Sequence, residues 1–396
     1  MTGAPYWAGG GHPRLRHQDS LLQARKPAFW LFMLLVFVCG TAVVYEQLLY
    51  LAGYPVAWFL SIVLLLLTGI PAMVVIYRLD YFEPEPVSLV AGALLWGGLV
   101  ATSFASLANE LFVGLLQRTM SPDVFESWAA AIVAPTNEEL YKGLGLVVLF
   151  LIARREINGL LDGLIYGAFI GLGFQAVENV QYFLQMTDAS GTGQVVPVLG
   201  MFFLRVVISG LYSHTLFTGL VGIGFAYAVT RLDVSRSRRA LVAAGLFLAA
   251  WSAHFLWNSP LLESLLDDDN LLSFIPVALL KGVPFLVFLI LLVVFARRRE
   301  ATAFFSLVGM DVGTGVLSEA DIYIMSSGRR RRAARRAVGR RKGPAGRRLQ
   351  IMIQRALLDL AALRARAPLP DDPGVEAQRS RVLELRAQLT SLPDKR

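Results

Sequence analysis

The feature that most constrains this chain is a series of apolar stretches, each about as long as a membrane is thick. A helix needs roughly 20 apolar residues to cross the hydrocarbon core of a bilayer. Stretches that approach or exceed this length lie at residues 28–51, 55–77, 87–116, 130–152, 159–184, 197–230, 240–261 and 271–296. Only helices and closed barrels satisfy their backbone hydrogen bonds in lipid. The pattern therefore predicts an all-α fold, a polytopic transmembrane helix bundle with about eight spans.

The composition agrees with a membrane location. Hydrophobic residues make up 55% of the chain and charged residues only 17%, whereas soluble domains carry about 25% charged residues. The single cysteine, Cys39, excludes a disulfide framework and a cysteine-based metal site. The stretch 197–230 is too long for one perpendicular helix, and its first part, up to about Ser213, is interpreted as an interfacial or re-entrant piece.

Basic residues are confined to alternate loops. Clusters of Lys and Arg precede the first predicted span and follow the second, fourth, sixth and eighth, whereas the opposite loops contain only Arg118 and an acidic run that ends at Asp267–Asp269. Cytosolic loops of membrane proteins are enriched in Lys and Arg. The alternation predicts a multi-pass plasma-membrane protein with both termini in the cytoplasm.

The charge also divides the chain into three parts. A polar cytosolic segment is predicted at 1–27, the membrane domain at 28–296 and a basic cytosolic tail at 297–396. The tail contains 22 Lys and Arg against 10 Asp and Glu, a net charge of +12. Because the tail is joined directly to a membrane span, its predicted partners are anionic lipid headgroups, and no specific nucleic acid is expected.

Two kinds of segment are predicted within the tail. Residues 329–348 are rich in Arg, Gly and Ala and are predicted to be disordered when free. Residues 347–366 and 375–391 have helical apolar spacing and are separated by prolines. These two segments predict a short helical hairpin.

Ionisable side chains occur inside the predicted spans, where each costs roughly 2.5–3.5 kcal/mol on insertion scales. Such groups persist when they pair or serve a function. They are accompanied by two asparagines. The set comprises Glu138, Glu139, Lys142, Glu178, Asn179, Arg205, His214, His254, Asn258 and Lys281.

Four of these side chains are predicted to lie at one depth. At about 1.5 Å of rise per residue, Glu139 lies about 22 Å and Glu178 about 28 Å from the cytosolic edge of their spans. By the same rise His214 lies at about 25 Å and His254 at about 21 Å. Independent structural charges would scatter in depth, so the coincidence predicts one polar cavity shared by four helices.

The residue types in this layer fit hydrolytic chemistry. Two histidines and a carboxylate can bind a divalent metal such as Zn²⁺ and leave a position for water, and a further glutamate can then act as general base. Glu138 and Glu139 point about 100° apart on a helix, so only one of them faces a site directly. Lys142 can neutralise either. Asn179 and Asn258 are hydrogen-bonding groups that can orient a ligand or stabilise an oxyanion.

Each of these residues also has a structural interpretation. Glu138 and Lys142 can form an ion pair, Glu178 can be a buried hydrogen-bonded carboxylate, and a single histidine can join two helices. Arg205 and Lys281 are interpreted as structural pairing or snorkelling residues.

The motifs resemble those of a known family when they are taken in order. The EExxK motif is Glu138-Glu139-Leu-Tyr-Lys142, the DGxxYG motif begins at Asp162, and the GxGFxxxEN motif runs from Gly171 to Asn179. Two histidine motifs follow at His214 and at His254-Phe-Leu-Trp-Asn258, and a short acidic-proline loop, Asp80–Pro86, precedes them all. Over about residues 70–296 the chain resembles the PrsW family of intramembrane proteases, which is distantly similar to the type II CAAX prenyl endopeptidases.

The resemblance implies cleavage of a membrane-anchored protein, for example an anti-sigma factor. It also implies two possible mechanisms, a metalloprotease mechanism and a glutamate-activated water that needs no essential metal. The residues that it implies as the site are Glu138, Glu139, Glu178, His214 and His254.

The leading hypothesis is therefore an intramembrane endopeptidase that uses glutamate-activated water with a divalent metal, Zn²⁺ being the best candidate. Glu138 or Glu139 takes a proton from the water, while Asn258 and Asn179 support the scissile carbonyl. The predicted ligands of the metal are Glu178, His214 and His254, and Lys142 supplies a supporting ion pair.

Two other classes of function also fit the sequence. One is an ion-coupled transporter or sensor that uses Glu178 and Lys142 as protonatable switches, although no pair of repeats with broken helices is found. The other is a scaffold whose basic tail recruits lipid or protein partners.

Overall fold

The computed structural model of the chain describes residues 20–79, 85–210, 213–262, 265, 273–308, 311–312, 315–326, 328–366 and 372–394. These residues are almost entirely helical and form no strand, so the predicted all-α class is confirmed. Most of the predicted segment 1–27 and the greater part of the acidic-proline loop, residues 80–84, lie outside the described residues. The chain divides into two compact units, and residues 295–396 belong to the second.

The first unit contains the membrane helices. Two of its helices, α3 and α7, continue into a π-helical turn, at Trp96–Ala101 and at Phe203–Ile208. The helices are α1 Pro27–Gly53, α2 Pro55–Tyr77, α3 Val87–Leu95, α4 Thr102–Thr119, α5 Pro122–Ile152, α6 Leu160–Ser190, α7 Val196–Phe202, α8 His214–Thr230, α9 Arg236–Asn258 and α10 Phe274–Val308, of which α10 extends into the second unit.

Within the described residues, six helical segments are long and apolar enough to cross a membrane. Helix α5 covers the predicted span 130–152 but contains the charged EExxK motif. The stretch 197–230 is divided in two, because the helix that ends at Ile208 is followed by a break before His214. The chain is therefore an integral membrane protein, and the count of eight spans stays a prediction.

Helix α6 is the central helix of this unit, and it packs against α8 without intervening side chains. A Cβ atom added at Gly167 would lie 2.3 Å from the Thr218 carbonyl oxygen, and one added at Gly171 would lie 2.2 Å from the His214 carbonyl oxygen. Small residues allow such close backbone contact between membrane helices. The glycines of α6 therefore allow the first turn of α8 to pack directly against the middle of α6, about two turns before Glu178.

We expect Gly167→Ala to destabilise the unit, because the added methyl group would force the two backbones apart. Overpacking of this kind costs about 1–3 kcal/mol. Gly69→Ala is the matched control, since nothing lies within 4 Å of a Cβ at that position of α2. Thermal unfolding in detergent should show a lower midpoint for the α6 variant alone, and equal midpoints would contradict the packing described here.

The second unit has its own apolar core. Its helices are α11 Glu319–Met325, α12 Gly328–Arg366 and α13 Pro373–Ser391, together with the end of α10. Buried members of the core include Ile353 and Leu357 of α12 and Val382 and Leu385 of α13. Helices therefore occupy both segments for which the apolar spacing predicted them.

A buried ionic contact supports this core. Asp311 is fully buried and accepts hydrogen bonds from Arg364 at 2.9 Å and from Arg379 at 2.8 Å. Burial alone would raise the pKa of Asp311, but the bonds from the two arginines outweigh burial and hold the pKa below its usual value. The carboxylate therefore links α12 and α13 in its charged form.

The structure corrects one prediction for the tail, because residues 329–348 are helical rather than disordered. Arg and Ala both favour helix, and the inner face of α12 packs on itself across a kink at Gly343, which has a φ of 71°. Arg335 donates to Gln354 at 2.5 Å, and Gln354 donates to the Arg331 carbonyl at 3.2 Å. Contacts between the two halves of α12 thus stabilise the helix over residues 329–348, and composition alone does not predict these contacts.

Candidate active site

The polar side chains predicted to share one layer meet in a buried cluster. Glu139 and Lys142 of α5 are fully buried, and His214 and His254 are 6% and 3% exposed. Glu178 belongs to α6, His214 is the first residue of α8, and His254 belongs to α9. Four helices therefore supply the cluster, as the depths along the spans predicted.

The ion pair between Lys142 and Glu139 lies at the centre of the cluster. The Lys142 ammonium donates to Glu139 Oε1 at 2.6 Å and to His214 Nδ1 at 2.9 Å. It also lies 4.4 Å from the centre of the Phe174 ring. Thr218 donates to the other Glu139 oxygen, Oε2, at 3.4 Å. Both oxygens of Glu139 therefore accept hydrogen bonds from the protein.

His254 is oriented by Glu139. Its Nδ1 lies 3.0 Å from Glu139 Oε1, and because a carboxylate only accepts hydrogen bonds, Nδ1 carries the proton. The other nitrogen, Nε2, therefore has a free lone pair. Nε2 lies 3.9 Å from Glu138 Oε2.

His214 is oriented in the same way by a different carboxylate. Its Nε2 lies 2.9 Å from Glu178 Oε2 and donates to it. The lone pair is therefore on Nδ1, which accepts from Lys142 and lies 3.7 Å from Glu138 Oε2. The two histidines thus present opposite ring nitrogens to the same glutamate.

Glu138 is held through one oxygen and leaves the other without a hydrogen bond. Asn109 of α4 donates to Glu138 Oε1 at 3.3 Å, and Asn137 donates to the Asn109 side-chain oxygen at 3.0 Å. Glu138 Oε2 is buried and has no hydrogen-bond partner among the described residues, although the Lys142 ammonium lies 3.7 Å away. One unbonded carboxylate oxygen therefore lies within 3.9 Å of the unprotonated ring nitrogen of each histidine.

Glu138 is one of the residues that line a polar cavity of about 40 Å³. A water molecule needs roughly 10–15 Å³ measured in this way, so the cavity has room for a few waters. Asn258 lines the cavity and makes no side-chain hydrogen bond to the described residues, and Asn179 accepts a hydrogen bond from Arg205 at 2.9 Å. The other side chains of the lining include Glu138, Glu178, Arg205, His214 and His254, but not Glu139.

The cluster fits a divalent metal in its donor types. The candidate ligand atoms of Glu138, His214 and His254 lie within 4.8 Å of one another. Glu139 and Glu178 bind the opposite ring nitrogens, as carboxylates commonly do behind metal-bound histidines. A metal would require Lys142 to give up its hydrogen bond to His214 Nδ1, because that bond uses the lone pair a metal needs.

The structure thus groups Glu138 with the histidines, whereas the sequence suggested Glu178 as the third ligand. The reason is geometric, because Glu178 contacts the Nε2 side of His214 and Glu138 contacts the Nδ1 side. Depth along a span cannot distinguish the two sides of an imidazole ring.

Three further residues of the site were missed or assigned a structural role by sequence reasoning. Asn109 and Thr218 hold Glu138 and Glu139, and their only signal is a polar side chain inside an apolar span. Arg205, which was interpreted as structural, donates to Glu178 at 2.6 Å and lines the cavity. Lys281, by contrast, fits its structural interpretation, since it donates to the Ser259 carbonyl at 2.7 Å, just past the end of α9.

The fold and the site define a class of protein, a polytopic helical membrane protein with a buried glutamate and histidine centre. The profile of the PrsW family, described as intramembrane metalloproteases, matches residues 85–299. The chain belongs to this family, and membership supports a membrane peptidase.

A characterised relative agrees with this family. The chain is 27% identical over 190 residues to Protease PrsW of Geobacillus kaustophilus (strain HTA426), a match that covers 48% of this chain and 74% of the relative. No solved structure matches significantly.

We expect Asn109→Ala to slow peptide cleavage by about 10-fold, the lower end of the range for residues that orient an active group from behind. The variant frees Glu138 Oε1 and lets the carboxylate rotate. Asn137→Ala is the graded control, because Asn137 contacts Asn109 and not Glu138, and its effect should be smaller. The measurement is kcat in reconstituted bilayers, and an unchanged kcat for Asn109→Ala would show that Glu138 does not depend on this bond.

Proposed function

We propose that the chain is an intramembrane endopeptidase that hydrolyses a peptide bond of a membrane-anchored protein with water activated by Glu138. The observation that supports this most directly is the unbonded, buried Glu138 Oε2, which lies near the unprotonated ring nitrogens of two histidines on a side chain that lines a polar cavity. Family membership favours hydrolysis over an ion-coupled transporter.

Glu138 is a better proton acceptor than its neighbour Glu139. Both oxygens of Glu139 accept hydrogen bonds from the protein, and Glu139 does not line the cavity. Its function is to neutralise Lys142 and to orient His254. A general base must reach the attacking water directly, and of this pair only Glu138 lines the cavity that has room for water.

The reaction follows from these positions. Glu138 takes a proton from a cavity water as the water oxygen bonds to the peptide carbon. The Asn258 amide donates a hydrogen bond to the carbonyl oxygen as negative charge develops on it. Glu138 then gives the proton to the leaving nitrogen as the C–N bond breaks, which yields a carboxylic acid and an amine.

A divalent metal, with Zn²⁺ as the candidate, would be held by Glu138, His214 and His254. When bound, such an ion polarises the carbonyl and lowers the pKa of its water. Glu178 would then be the carboxylate left in the cavity to accept a proton, because its Oε1 makes no hydrogen bond to the described residues while its Oε2 accepts from both His214 and Arg205.

The test compares Glu138→Gln with Glu110→Gln. Glu110 is the matched control, an exposed membrane carboxylate on α4 that does not line the cavity. New protein N-termini inside predicted membrane spans should appear in cells that express the wild type and fall by at least about 100-fold with Glu138→Gln. The Glu110 variant should behave as the wild type.

Equal cleavage by the wild type and by Glu138→Gln would remove this hypothesis. The zinc content of the purified proteins decides between the two mechanisms. Bound zinc that is lost in both Glu138→Gln and His254→Ala favours the metal, whereas active protein without zinc favours glutamate-activated water alone.

The substrate and the orientation are also part of the proposal. The family resemblance favours a membrane-anchored protein such as an anti-sigma factor, and the loop charges favour cytoplasmic termini in the plasma membrane. Trypsin should therefore reach residues 297–396 in inverted membrane vesicles but not in right-side-out vesicles, and the reverse result would exclude this orientation.

We also propose that the basic face of α12 binds anionic lipid headgroups. Arg329, Arg332, Arg336 and Arg340 are exposed at spacings of three and four residues, and no acidic residue occurs between Asp321 and Asp359. Burial and the positive charges of Arg355, Arg332 and Arg347 lower the pKa of Arg335. Each such residue near an anionic surface contributes about 1 kcal/mol.

Full-length protein in nanodiscs tests this contact. Deuterium uptake over residues 328–342 should be slower in partly anionic lipid than in neutral lipid. The difference should vanish in the triple variant Arg329→Gln, Arg332→Gln, Arg336→Gln and persist in Arg381→Gln, whose side chain pairs with Glu384 on α13. Equal uptake in both lipids, or protection only after RNA is added, would contradict the proposal.

A further inference from the structure

The short helix Val196–Ile208, which ends before His214, contacts the site through one charged side chain. Helix α7 and its π-helical extension comprise seven and six residues and end at Ile208, shortly before His214. Along this helix Val198 is fully buried against Val180 and Phe183 of α6. Arg205, in the π-helical part, makes the polar contact of the helix with α6.

The Arg205 guanidinium contacts three side chains on α6. Its Nε donates to Asn179 Oδ1 at 2.9 Å, and its terminal nitrogen donates to Glu178 Oε2 at 2.6 Å. The guanidinium also lies 3.8 Å from the centre of the Tyr182 ring. A planar group with donors in a fixed fork makes such contacts at once, and an ammonium cannot reproduce them together.

The carboxylate oxygen that Arg205 binds is the same oxygen that orients His214. Glu178 Oε2 accepts from Arg205 and from His214 Nε2 at 2.9 Å. Because Nε2 donates, the lone pair of His214 lies on Nδ1, on the side of Glu138. Glu178 on the Nε2 side and Lys142 on the Nδ1 side therefore hold the His214 ring in one orientation.

We propose that Arg205 is a positioning residue that couples the seating of the helix Val196–Ile208 to the orientation of His214. When this helix packs on α6, Arg205 fixes Glu178, and Glu178 holds the proton of His214 on Nε2. When the helix moves away, Glu178 loses its charged partner, and His214 loses its fixed Nε2 hydrogen bond to Glu178. The site is then assembled only while the helix is seated.

A purely structural Arg205 would behave differently. It would stabilise the helix through charge alone, and its loss would lower stability without changing the hydrogen bond of the His214 Nε2 proton. The state of this hydrogen bond therefore distinguishes the two interpretations, and its measurement requires neither a substrate nor a bound metal. The inference rests on the proposed function only for its effect on cleavage.

The experiment is nitrogen NMR of histidine-labelled, metal-free protein in which His12 and His17 are replaced by Gln. The wild type should show His214 protonated on Nε2 and His254 protonated on Nδ1. In Arg205→Gln the Nε2 proton of His214 should resonate upfield of its wild-type position and exchange faster with water, because its acceptor is no longer fixed, while His254, oriented by Glu139, serves as an internal control. Arg118→Gln, an exposed arginine at the end of α4, should match the wild type. A His214 signal in Arg205→Gln identical to that of the wild type would overturn the proposal.

Arg205→Lys provides a second test if the Gln variant does not fold. The ammonium retains the charge beside Glu178 but loses the Asn179 contact. Hydrogen exchange over residues 196–208 should rise severalfold while His214 stays protonated on Nε2, and exchange equal to that of the wild type would contradict the coupling.

Zn²⁺ affinity, measured by competition with a chelator, should fall by about 10–100-fold in Arg205→Gln. An unchanged affinity would contradict the positioning function of Arg205. A wild type that binds no zinc would contradict the metal mechanism of the proposed function and not the coupling.

Discussion

A charged side chain that is buried away from water must be paired with an opposite charge, and this constraint determines the arrangement of side chains at the centre of the site. Breaking a buried ion pair by removing one partner costs about 3–5 kcal/mol, so Lys142 and Glu139, both fully buried and 2.6 Å apart, depend on each other. The same pair holds both histidines, because Lys142 donates to His214 and Glu139 accepts from His254. Neutralisation of charge and orientation of the imidazoles are therefore achieved by one set of contacts.

The site also depends on backbone packing. Without a Cβ at Gly167 and Gly171, α8 approaches α6 closely enough for His214 to reach Glu178. Other motif residues have structural functions away from the cavity. Asp162 accepts from the backbone amides that precede α6, at 2.8 Å, and Tyr166 donates to Glu85. Much of what a family motif specifies is thus the placement of α6.

The sequence predicted the features that follow from length and depth. Apolar runs indicated the helices, and a rise of about 1.5 Å per residue placed Glu139, Glu178, His214 and His254 in one layer. Side-chain direction and hydrogen-bond partners across helices cannot be read from one chain. For this reason the contribution of Asn109 was missed, and Glu178 was predicted as the carboxylate ligand beside the two histidines in place of Glu138. The prediction of disorder for residues 329–348 was wrong because composition does not reveal contacts such as that of Arg335 with Gln354.

The length of the helix that carries Arg205 has a consequence for the surrounding lipid. Seven α-helical and six π-helical residues cover at most about 20 Å, whereas the hydrocarbon core is about 30 Å thick. Lipid adapts to a short hydrophobic element by thinning locally. A bilayer thinned beside Val196–Ile208 brings bulk water closer to the cavity, and water is the one reactant that a hydrolase inside a membrane lacks.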